Sequence, residues 1–588
     1  MRIIFTIIGV VFICGWSNAQ DTLAFQKEQN ALHVKEVNRF HINQDDRFGQ
    51  FSLSNEGAAL QQMIFSPLGS RLGFKTNAYQ SYLRDKSNFQ FSRYDRFTKL
   101  SYMTANDEGQ YISAYHSQQF KNFSFALDYS KILSEGFFIN QKARHANTSL
   151  MLKYQPGNKK YSAKVFAMYN TISARENGGL ASDSLYLDEA FNNEKVYPVR
   201  LSDAQIEQWN ISLNLEQVYD LRTENPFSNY SYLKLSSNYE SQEELYTDGD
   251  PDFQANVEGV EVDNYYPSIS DNNQTHDSIG FQTFGHHLSW NYGIKALLDA
   301  RLSYGFQWDN FTTGIIRENQ DRQRFELDLD VLKSLLKFNL KSEQSNLFDS
   351  GRTSWSLASQ IVKDFELGYK SQSLYPELFM RSYIGNHLYW INDFSNQKVQ
   401  TFYSFIKDDK RKFKFQVDYL LLDDWIFYNS EARPEQISDR QELVQVSLRK
   451  AVSVKKWNAN LRLVWQKTDS EILRIPEWLT RVQLYYQDII FGKNEFQLGA
   501  QVNYFSKFNA PSYMAATSVF YLGEDKEVGD YPMVDIFFNI RVKSLKAFLK
   551  FENINGLFGE REDMFVAPHY TLPEPRFKFG LTWNFYDK

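Results

Sequence analysis

Hydrophobic and polar residues alternate with a period of two in many short segments of this chain. Near the C-terminus, Phe577, Phe579, Leu581, Trp583 and Phe585 fall on one side, and polar residues or glycine lie between them. Successive side chains of a β-strand point to opposite faces, so this pattern predicts a strand with one apolar and one polar face. The same alternation occurs at 123–130, 324–332, 413–419, 457–465 and 495–504. The chain is therefore predicted to be all-β.

The connections between these segments are of two kinds. Residues 155–160 and 407–412 are short polar turns, whereas 170–199 and 242–277 are long. Transmembrane β-barrels have short periplasmic turns and long extracellular loops. Counting alternating segments from about residue 95 predicts an antiparallel transmembrane barrel of roughly 20 to 24 strands. The alternative is a large secreted protein of several β-sandwiches, which would also alternate but would not place so many aromatic residues at strand ends.

Composition favours the barrel. The chain has 49 Phe, 36 Tyr and 11 Trp, together 16% of its residues, yet its mean hydropathy is −0.51. A barrel reconciles the two values, because only alternate residues meet lipid, the lumen is polar, and aromatic girdles mark both interfaces. After the first residues no run of 18 apolar residues occurs, so helical membrane spans are not expected.

The N-terminus predicts export. Arg2, an apolar run from Ile3 to Cys14, and small residues at Ser17 and Ala19 are typical of a secretory signal peptide, residues 1–19. Cys14 is the only cysteine, so the exported protein would contain no disulfide. The domain prediction is a signal peptide at 1–19, a periplasmic or lumen-inserted segment at 20–90, and an outer-membrane barrel at 91–588.

The most acidic stretch, 235–294, contains no Lys or Arg, and within it Asp248, Asp250 and Asp252 alternate. Calcium loops also alternate carboxylates, but Phe253 and Gly259 stand where an EF-hand needs its glycine and its bidentate glutamate. Two interpretations remain: a solvated external loop, or an acidic vestibule that concentrates cations. The formal charge of −7 tilts the prediction weakly toward cation preference.

No catalytic constellation is identified. His286, His287 and Ser289 are close in sequence, but adjacent strand residues point to opposite faces, so the two histidines cannot share one site. The chain is predicted to be no enzyme, to hold no cofactor or metal, and to bind no nucleic acid, because it has no basic face.

Several blocks resemble a known family. Residues 53–74, 116–145, 176–180 and 530–556 are similar to segments of the family called putative outer-membrane porins of the Bacteroidota, and the resemblance covers essentially the whole mature chain. The terminal strand resembles the signal that the outer-membrane assembly machinery recognises, although Asp587 and Lys588 follow its last aromatic residue. The resemblance implies an outer-membrane barrel with a role in passive diffusion.

The leading hypothesis is therefore a channel through which small hydrophilic solutes diffuse, with outer-membrane lipid and the assembly machinery as partners and a homo-oligomer as an option. A second hypothesis is a non-conducting structural or docking barrel, its lumen filled by inward loops or by residues 20–90. A third is an active transporter coupled to the inner membrane; such transporters carry a plug of more than about 100 residues, and roughly 70 precede the barrel here.

Overall fold

The protein is all-β in the computed structural model. The model describes residues 48–67, 74–86, 89–92, 94–105, 109–191, 193–222, 228–257, 259–262, 264–348, 350–362, 364–558 and 564–586. The predicted signal peptide and residues 20–47 of the predicted 20–90 segment lie outside the described residues.

Twenty-two antiparallel strands form one closed barrel. They are β1 (Arg96–Ala105), β2 (Gln110–Gln119), β3 (Phe123–Ser134), β4 (Ala143–Tyr154), β5 (Tyr161–Glu176), β6 (Ala204–Asp220), β7 (Ser228–Asp248), β8 (Thr275–Ile294), β9 (Leu298–Thr313), β10 (Ile316–Val331), β11 (Leu336–Ser345), β12 (Arg352–Val362), β13 (Phe365–Leu374), β14 (Gln397–Asp408), β15 (Phe413–Asp423), β16 (Gln441–Val454), β17 (Trp457–Lys467), β18 (Trp478–Ile490), β19 (Asn494–Phe505), β20 (Met533–Val542), β21 (Leu545–Glu552) and β22 (Arg576–Tyr586). The predicted fold class and strand range are confirmed, and the barrel itself begins at Arg96.

Each strand pairs with its neighbours in sequence, and β22 closes the barrel by pairing with β1, where Leu100 stands opposite Trp583. Every connection from an even-numbered to an odd-numbered strand is short. The long connections all lie at the opposite end of the barrel, at 177–203, 249–274, 375–396, 424–440, 506–532 and 553–575. We call these the short-turn end and the long-loop end. Both of the predicted short turns, 155–160 and 407–412, lie at the short-turn end.

Alternation places apolar side chains outside and polar ones inside. In β22, Trp583 is half exposed while its neighbours Thr582 and Asn584 are buried. Aromatic pairs mark both ends of the outer surface: Trp457 lies 5.4 Å from Tyr486, and Trp465 lies 6.2 Å from Trp478. Eight residues separate the two tryptophans of β17, a distance of about 27 Å along the strand. These pairs lie where the two aromatic girdles of a membrane-spanning barrel are expected.

Short elements occupy the ends and the lumen. The helices are Asp183–Leu187 and Leu378–Arg381, with 3-10 turns at Gln80–Tyr82, Glu194–Val196, Ala515–Thr517 and Ile554–Leu557. The small hairpins are Gln50–Ser52 with Leu60–Gln62, Asn256–Val257 with Val260–Glu261, Ser382–Ile384 with Tyr389–Ile391, Trp425–Tyr428 with Pro434–Ile437, Phe508–Asn509 with Glu527–Val528, Ser512–Met514 with Val519–Tyr521, and Phe565–Ala567 with Tyr570–Thr571. Among the described residues, none of the helices has the length and apolar character needed to cross a membrane.

Candidate functional site in the barrel lumen

The N-terminal residues before β1 pack against the inner face of the barrel, and their first part is a hairpin. Strand Gln50–Ser52 pairs with Leu60–Gln62, and the ring of Phe51 lies 4.9 Å from that of Phe505 in β19. The backbone N–H of Phe65 donates to Gln466 Oε1 of β17 over 3.2 Å. The hairpin is therefore held on the wall formed by β17 to β19.

The turn of this hairpin, residues 53–59, contacts the wall at β3 and the following loop. Asn55 Nδ2 donates to the Gln141 carbonyl over 2.7 Å, and Ser134 Oγ at the end of β3 donates to Asn55 Oδ1 over 2.6 Å. Gly57 has φ +88°, and a Cβ added to it would lie 2.8 Å from Cβ of Ala143. Only glycine fits this position, because both its backbone conformation and its contact exclude a side chain.

The same turn completes a buried charge network at the long-loop end of β20 to β22. Glu56 accepts from Lys578 Nζ over 3.2 Å, and Lys578 also lies 2.9 Å from Glu552. Arg576 Nε donates to Glu552 over 2.8 Å, while Lys550 is 2.9 Å from Asp535. Three cations and three carboxylates thus neutralise one another here.

Residues 74–79 cross to the wall of β5 to β9. The ring of Phe74 stacks on Phe281 at 4.5 Å. Lys75 forms an ion pair with Glu244 of β7, and both side chains are almost fully buried. Burial lowers the pKa of Lys75 below its ordinary value, and the attraction of Glu244 offsets only part of this effect. The charge pair therefore positions this part of the chain rather than adding much net stability.

Loops from the long-loop end meet the N-terminal residues inside the barrel. Tyr79 and Tyr513 both donate to Glu176 Oε1, over 2.6 and 2.8 Å. The Ala78 N–H donates to the Ser518 carbonyl over 2.9 Å. Together with inner-wall residues, these side chains belong to one continuous hydrophobic core. The long-loop half of the lumen is thus filled jointly by the N-terminal residues and by inward loops.

After residue 79 the chain runs along the lumen toward the short-turn end, where β1 begins. Arg84 forms an ion pair with Asp128 of β3, and the ring of Phe89 lies 5.7 Å from that of Phe166 in β5. Closer to the short-turn end, the Ser92 N–H donates to Ser117 Oγ of β2 over 3.2 Å. We call the described part of residues 48–92 the plug segment.

Three loops are fastened together by His569. Its Nδ1 lies 3.2 Å from Asp183 Oδ1, and its Nε2 lies 3.1 Å from both carboxylate oxygens of Glu524. Lys526 also pairs with Asp183, and Arg200 lies 3.9 Å from Glu524. Burial alone would lower the pKa of His569, but the hydrogen bonds and charges of the two carboxylates raise it above its ordinary value.

A polar cavity of about 430 Å³ remains beside the plug segment. Its lining runs from Lys412, in a turn at the short-turn end, to Pro573, in a loop at the long-loop end, and includes the inner faces of β16 to β22. Among the described residues, the lining includes eight basic ones, Lys412, Arg449, Lys450, Arg462, Arg481, Lys550, Arg576 and Lys578, and three acidic ones, Glu56, Asp535 and Glu552. The described part of the lining is therefore basic within a chain whose formal charge is −7.

The terminal strand has the geometry that its sequence predicts. Phe577, Trp583 and Phe585 are exposed on the outer face, Phe579 and Leu581 share that face, and the rings of Trp583 and Phe585 lie 4.6 Å apart. Asp587 and Lys588 lie outside the described residues.

The three aspartates singled out in the acidic stretch do not converge on one point. Asp248 is the last residue of β7, is buried, and accepts from the Tyr266 hydroxyl over 2.6 Å. Asp250 accepts weakly from Ser202 over 3.3 Å, and Asp252 is exposed. Within the described part of the chain, no group of three or more His, Cys, Asp or Glu residues is arranged to hold a metal ion.

Basic and acidic residues both face the lumen. Lys164 pairs with Glu216 over 3.4 Å, and Asp328 pairs with Arg301. Arg449 of β16 stands opposite Lys414 of β15 and Arg462 of β17, and Arg481 of β18 stands opposite Arg462. The two histidines do point apart: His286 is bonded to Ser237 over 2.8 Å on the outer face, and His287 faces Glu326 in the lumen at 3.7 Å.

Comparison with known proteins is consistent with this architecture. Residues 18–587 match the family model described as Putative porin. A search of curated proteins found no match.

Among solved structures, the chain is similar to a mutant of the ferric enterobactin receptor PfeA from Pseudomonas aeruginosa in complex with enterobactin, with TM-score 0.59, 11% identity, and 84% of this chain and 82% of that chain covered. It is similar to the siderophore receptor PirA from Acinetobacter baumannii, with TM-score 0.58, 10% identity, and 84% and 81% covered. The FrpB iron transporter from Neisseria meningitidis gives TM-score 0.55, 11% identity, and 84% and 82% covered. At these identities the likeness concerns the fold alone.

Proposed function

We propose that this chain, which belongs to the Putative porin family, is an outer-membrane channel for small hydrophilic solutes whose path is the basic cavity beside the plug segment. The observation that carries the proposal is the continuity of the cavity lining from Lys412 at the short-turn end to Pro573 at the long-loop end. Its size suits a small solute, since pockets for such molecules have volumes of about 300 to 1,000 Å³. Function would lie in the width and lining of the path, not in catalysis.

The same proposal includes the cellular context. Residues 1–19 would direct export and be removed, and the protein would lie in the outer membrane of a bacterium of the Bacteroidota. The aromatic pairs at both ends of β17 and β18 support membrane placement. The arrangement of short and long connections supports a periplasmic short-turn end and an extracellular long-loop end.

A second candidate function is gated transport, in which the plug segment moves before a solute passes. The plug segment contacts walls on opposite sides of the barrel, at Ser134 of β3, Glu244 of β7 and Gln466 of β17. Barrels of 22 strands are known as transporters with a plugged lumen. The structural neighbours described as receptors or transporters for iron carriers favour the same candidate by analogy of fold only.

Planar-bilayer recording separates the two candidates. The refolded mature chain is compared with Asn55→Cys/Ser134→Cys, which ties the hairpin turn to β3 where the native side-chain atoms are 2.6 Å apart. Since the only native cysteine is Cys14, the oxidised variant contains one defined link, and its reduced form is the matched control. Passive diffusion predicts steady conductance steps that are the same in both forms.

Gated transport predicts silence in the oxidised form and openings in the reduced form. Silence of both forms, in protein shown to be folded by heat-modifiable migration, would refute the channel and favour a docking barrel.

A further inference from the structure

Each of the ten turns at the short-turn end contains at least one lysine or arginine. These turns run from 120–122, between β2 and β3, to 543–544, between β20 and β21. By sequence they contain 14 Lys or Arg residues and three Asp or Glu residues. We call the Lys and Arg residues of these ten turns the basic rim.

The opposite end of the barrel has the opposite sign. The eleven connections at the long-loop end, from 106–109 to 553–575, contain by sequence 32 Asp or Glu residues and ten Lys or Arg residues. The formal charge of −7 therefore conceals a separation of charge along the barrel axis. The basic rim is a property of one end of the molecule and does not follow from the composition of the chain.

Rim side chains are exposed. This holds for Lys121, Lys295, Lys333, Lys455 and Lys493, each in a different turn. Within the described part of the rim, ion pairs with nearby aspartates are formed by Arg222, Arg411 and Lys456. The exposed lysines are therefore placed to contact whatever surrounds this end of the barrel.

The backbone of several turns favours other residue types. Rim lysines have φ between +48° and +56° in five turns, at Lys159, Lys333, Lys412, Lys455 and Lys543. Left-handed backbone is unfavourable for residues with a Cβ, and tight hairpin turns prefer Asn or Gly there. The same basic side chain at such positions in five separate turns indicates a requirement for charge that turn geometry does not explain.

The basic rim lies directly beyond the aromatic girdle. Lys455 and Lys456 immediately precede Trp457, and Lys456 Nζ lies 6.0 Å from the ring of Tyr486, the partner of Trp457. One or two strand residues correspond to about 3 to 5 Å along the axis at a tilt of about 40°. The headgroup layer is about 5 to 7 Å thick on each side of the hydrocarbon core. The rim therefore lies at the level of lipid headgroups.

The rim also surrounds the barrel, because its turns join successive strand pairs of one closed ring. A globular protein partner would contact one sector of this ring, whereas a lipid leaflet meets all ten turns at once. Exposed apolar side chains at strand ends beside the turns, such as Phe123 and Leu336, fit the same environment. The geometry thus favours a lipid surface as the partner.

We propose that the basic rim binds the phosphate groups of anionic phospholipids, such as phosphatidylglycerol, in the leaflet at the short-turn end. Lysine binds phosphate as a point charge, and basic residues at a membrane surface attract anionic lipids. The long stem of lysine also lets its charge reach the headgroups while its methylene groups stay against apolar surface. The proposal requires that the barrel lies in a bilayer, but not that it conducts.

The test measures the lipid preference of the refolded mature chain in phosphatidylcholine vesicles. Electron paramagnetic resonance with spin-labelled phosphatidylglycerol or spin-labelled phosphatidylcholine gives the fraction of each lipid that the protein immobilises. Wild type should retain phosphatidylglycerol at least about twofold more strongly, which is the several-fold preference expected beside a lysine averaged over lipid sites at both ends.

The rim variant is Lys159→Asn/Lys333→Asn/Lys455→Asn/Lys543→Asn, and its preference should fall toward one. It should fold at least as well as wild type, because Asn suits left-handed turn positions, and heat-modifiable migration checks this.

The matched control removes four exposed cations at the long-loop end and changes net charge by the same amount. It is Lys398→Gln/Arg440→Gln/Lys467→Gln/Lys507→Gln, and it should keep the wild-type preference. Wild type in 1 M NaCl needs no substitution: the screening length falls from about 8 Å at physiological ionic strength to about 3 Å, so the preference should decrease.

A preference that the control keeps and the rim variant loses would support the proposal, even for a barrel that is silent in planar bilayers. Equal retention of both lipids by folded wild type would overturn it and point to a soluble acidic partner instead. An identical preference in wild type and the rim variant, unchanged by salt, would overturn it as well.

Discussion

The ion pair between Lys75 and Glu244 offers a direct way to loosen the plug segment. Their side chains are 0% and 2% exposed. Lys75→Met would leave the Glu244 carboxylate buried with Gln208 and Asn77 as its remaining donors among the described residues, at 2.9 and 3.3 Å. Breaking a buried pair costs about 3 to 5 kcal/mol. The two remaining donors place this case at the lower end, about 3 kcal/mol.

This loss of stabilising free energy should appear as more frequent local opening of residues 74–79 and not as detachment of the whole plug segment, because the other contacts of that segment with the walls persist. At 1.4 kcal/mol per factor of ten, about 3 kcal/mol corresponds to roughly a hundredfold larger opening constant. The reporter is hydrogen exchange of the Ala78 amide, which donates to the Ser518 carbonyl. Its protection should fall by about two orders of magnitude in Lys75→Met.

Two variants make the result interpretable. In Lys75→Met/Glu244→Gln the buried charge is gone, so most of the protection should return. Lys142→Met removes an exposed pair with Glu135 and should change little, since surface pairs contribute about 0 to 1 kcal/mol. Protection of Ala78 within about threefold of wild type in Lys75→Met, in a barrel that remains heat-modifiable, would refute the reasoning.

Three further predictions concern the wall, the hairpin turn and the loops. Trp583→Asp/Phe585→Asp should block accumulation of heat-modifiable barrel in outer membranes, because charge on the lipid face is destabilising, whereas Trp583→Tyr/Phe585→Tyr should accumulate normally. Gly57→Ala should release the hairpin turn to limited proteolysis, whereas Gly259→Ala, at a similar φ of +86° but with nothing within 4 Å, should not. Because the pKa of His569 is raised, its contacts with the two carboxylates are at full strength below its ordinary pKa of about 6.5 and weaken as pH rises through the raised value. Hydrogen exchange of the loop amides should therefore increase over that pH range. His569→Gln should abolish this pH dependence.

The strands were predictable because their signal is local. The alternation of Phe577, Phe579 and Leu581 requires only neighbouring residues, and it repeats in every strand segment that the sequence analysis named. Aromatic residues at strand ends, such as Trp457 and Trp465, indicated in addition that the strands cross a membrane. The choice of partner strands needs no further information from the sequence, because each strand pairs with the next one along the chain through a short turn or a single loop.

The lumen contents were not predictable in the same way. Loop 506–532 contains the largely apolar stretch 513–522, but this stretch does not indicate its partners, and Tyr513 is buried against Glu176 and the plug segment. The sequence analysis held open a lumen filled by inward loops or by residues 20–90, and in the structure the plug segment and the inward loops both contribute to the packing. The contact between Arg449 and Arg462 was not predicted for a related reason, because these residues become neighbours only through the pairing of β16 with β17.

The position of charges matters more to selectivity than their sum. The net charge of −7 favours cations only if the excess carboxylates face the path. Asp250 and Asp252 instead lie in loop 249–274, and Asp248 is held by Tyr266. Charges in solvent act over about 8 Å at physiological ionic strength, whereas those in a narrow lumen are screened less. A solute in the cavity would therefore meet the cavity lining before the acidic loop, and the sign of the reversal potential should follow the charges of that lining rather than the net charge of the chain.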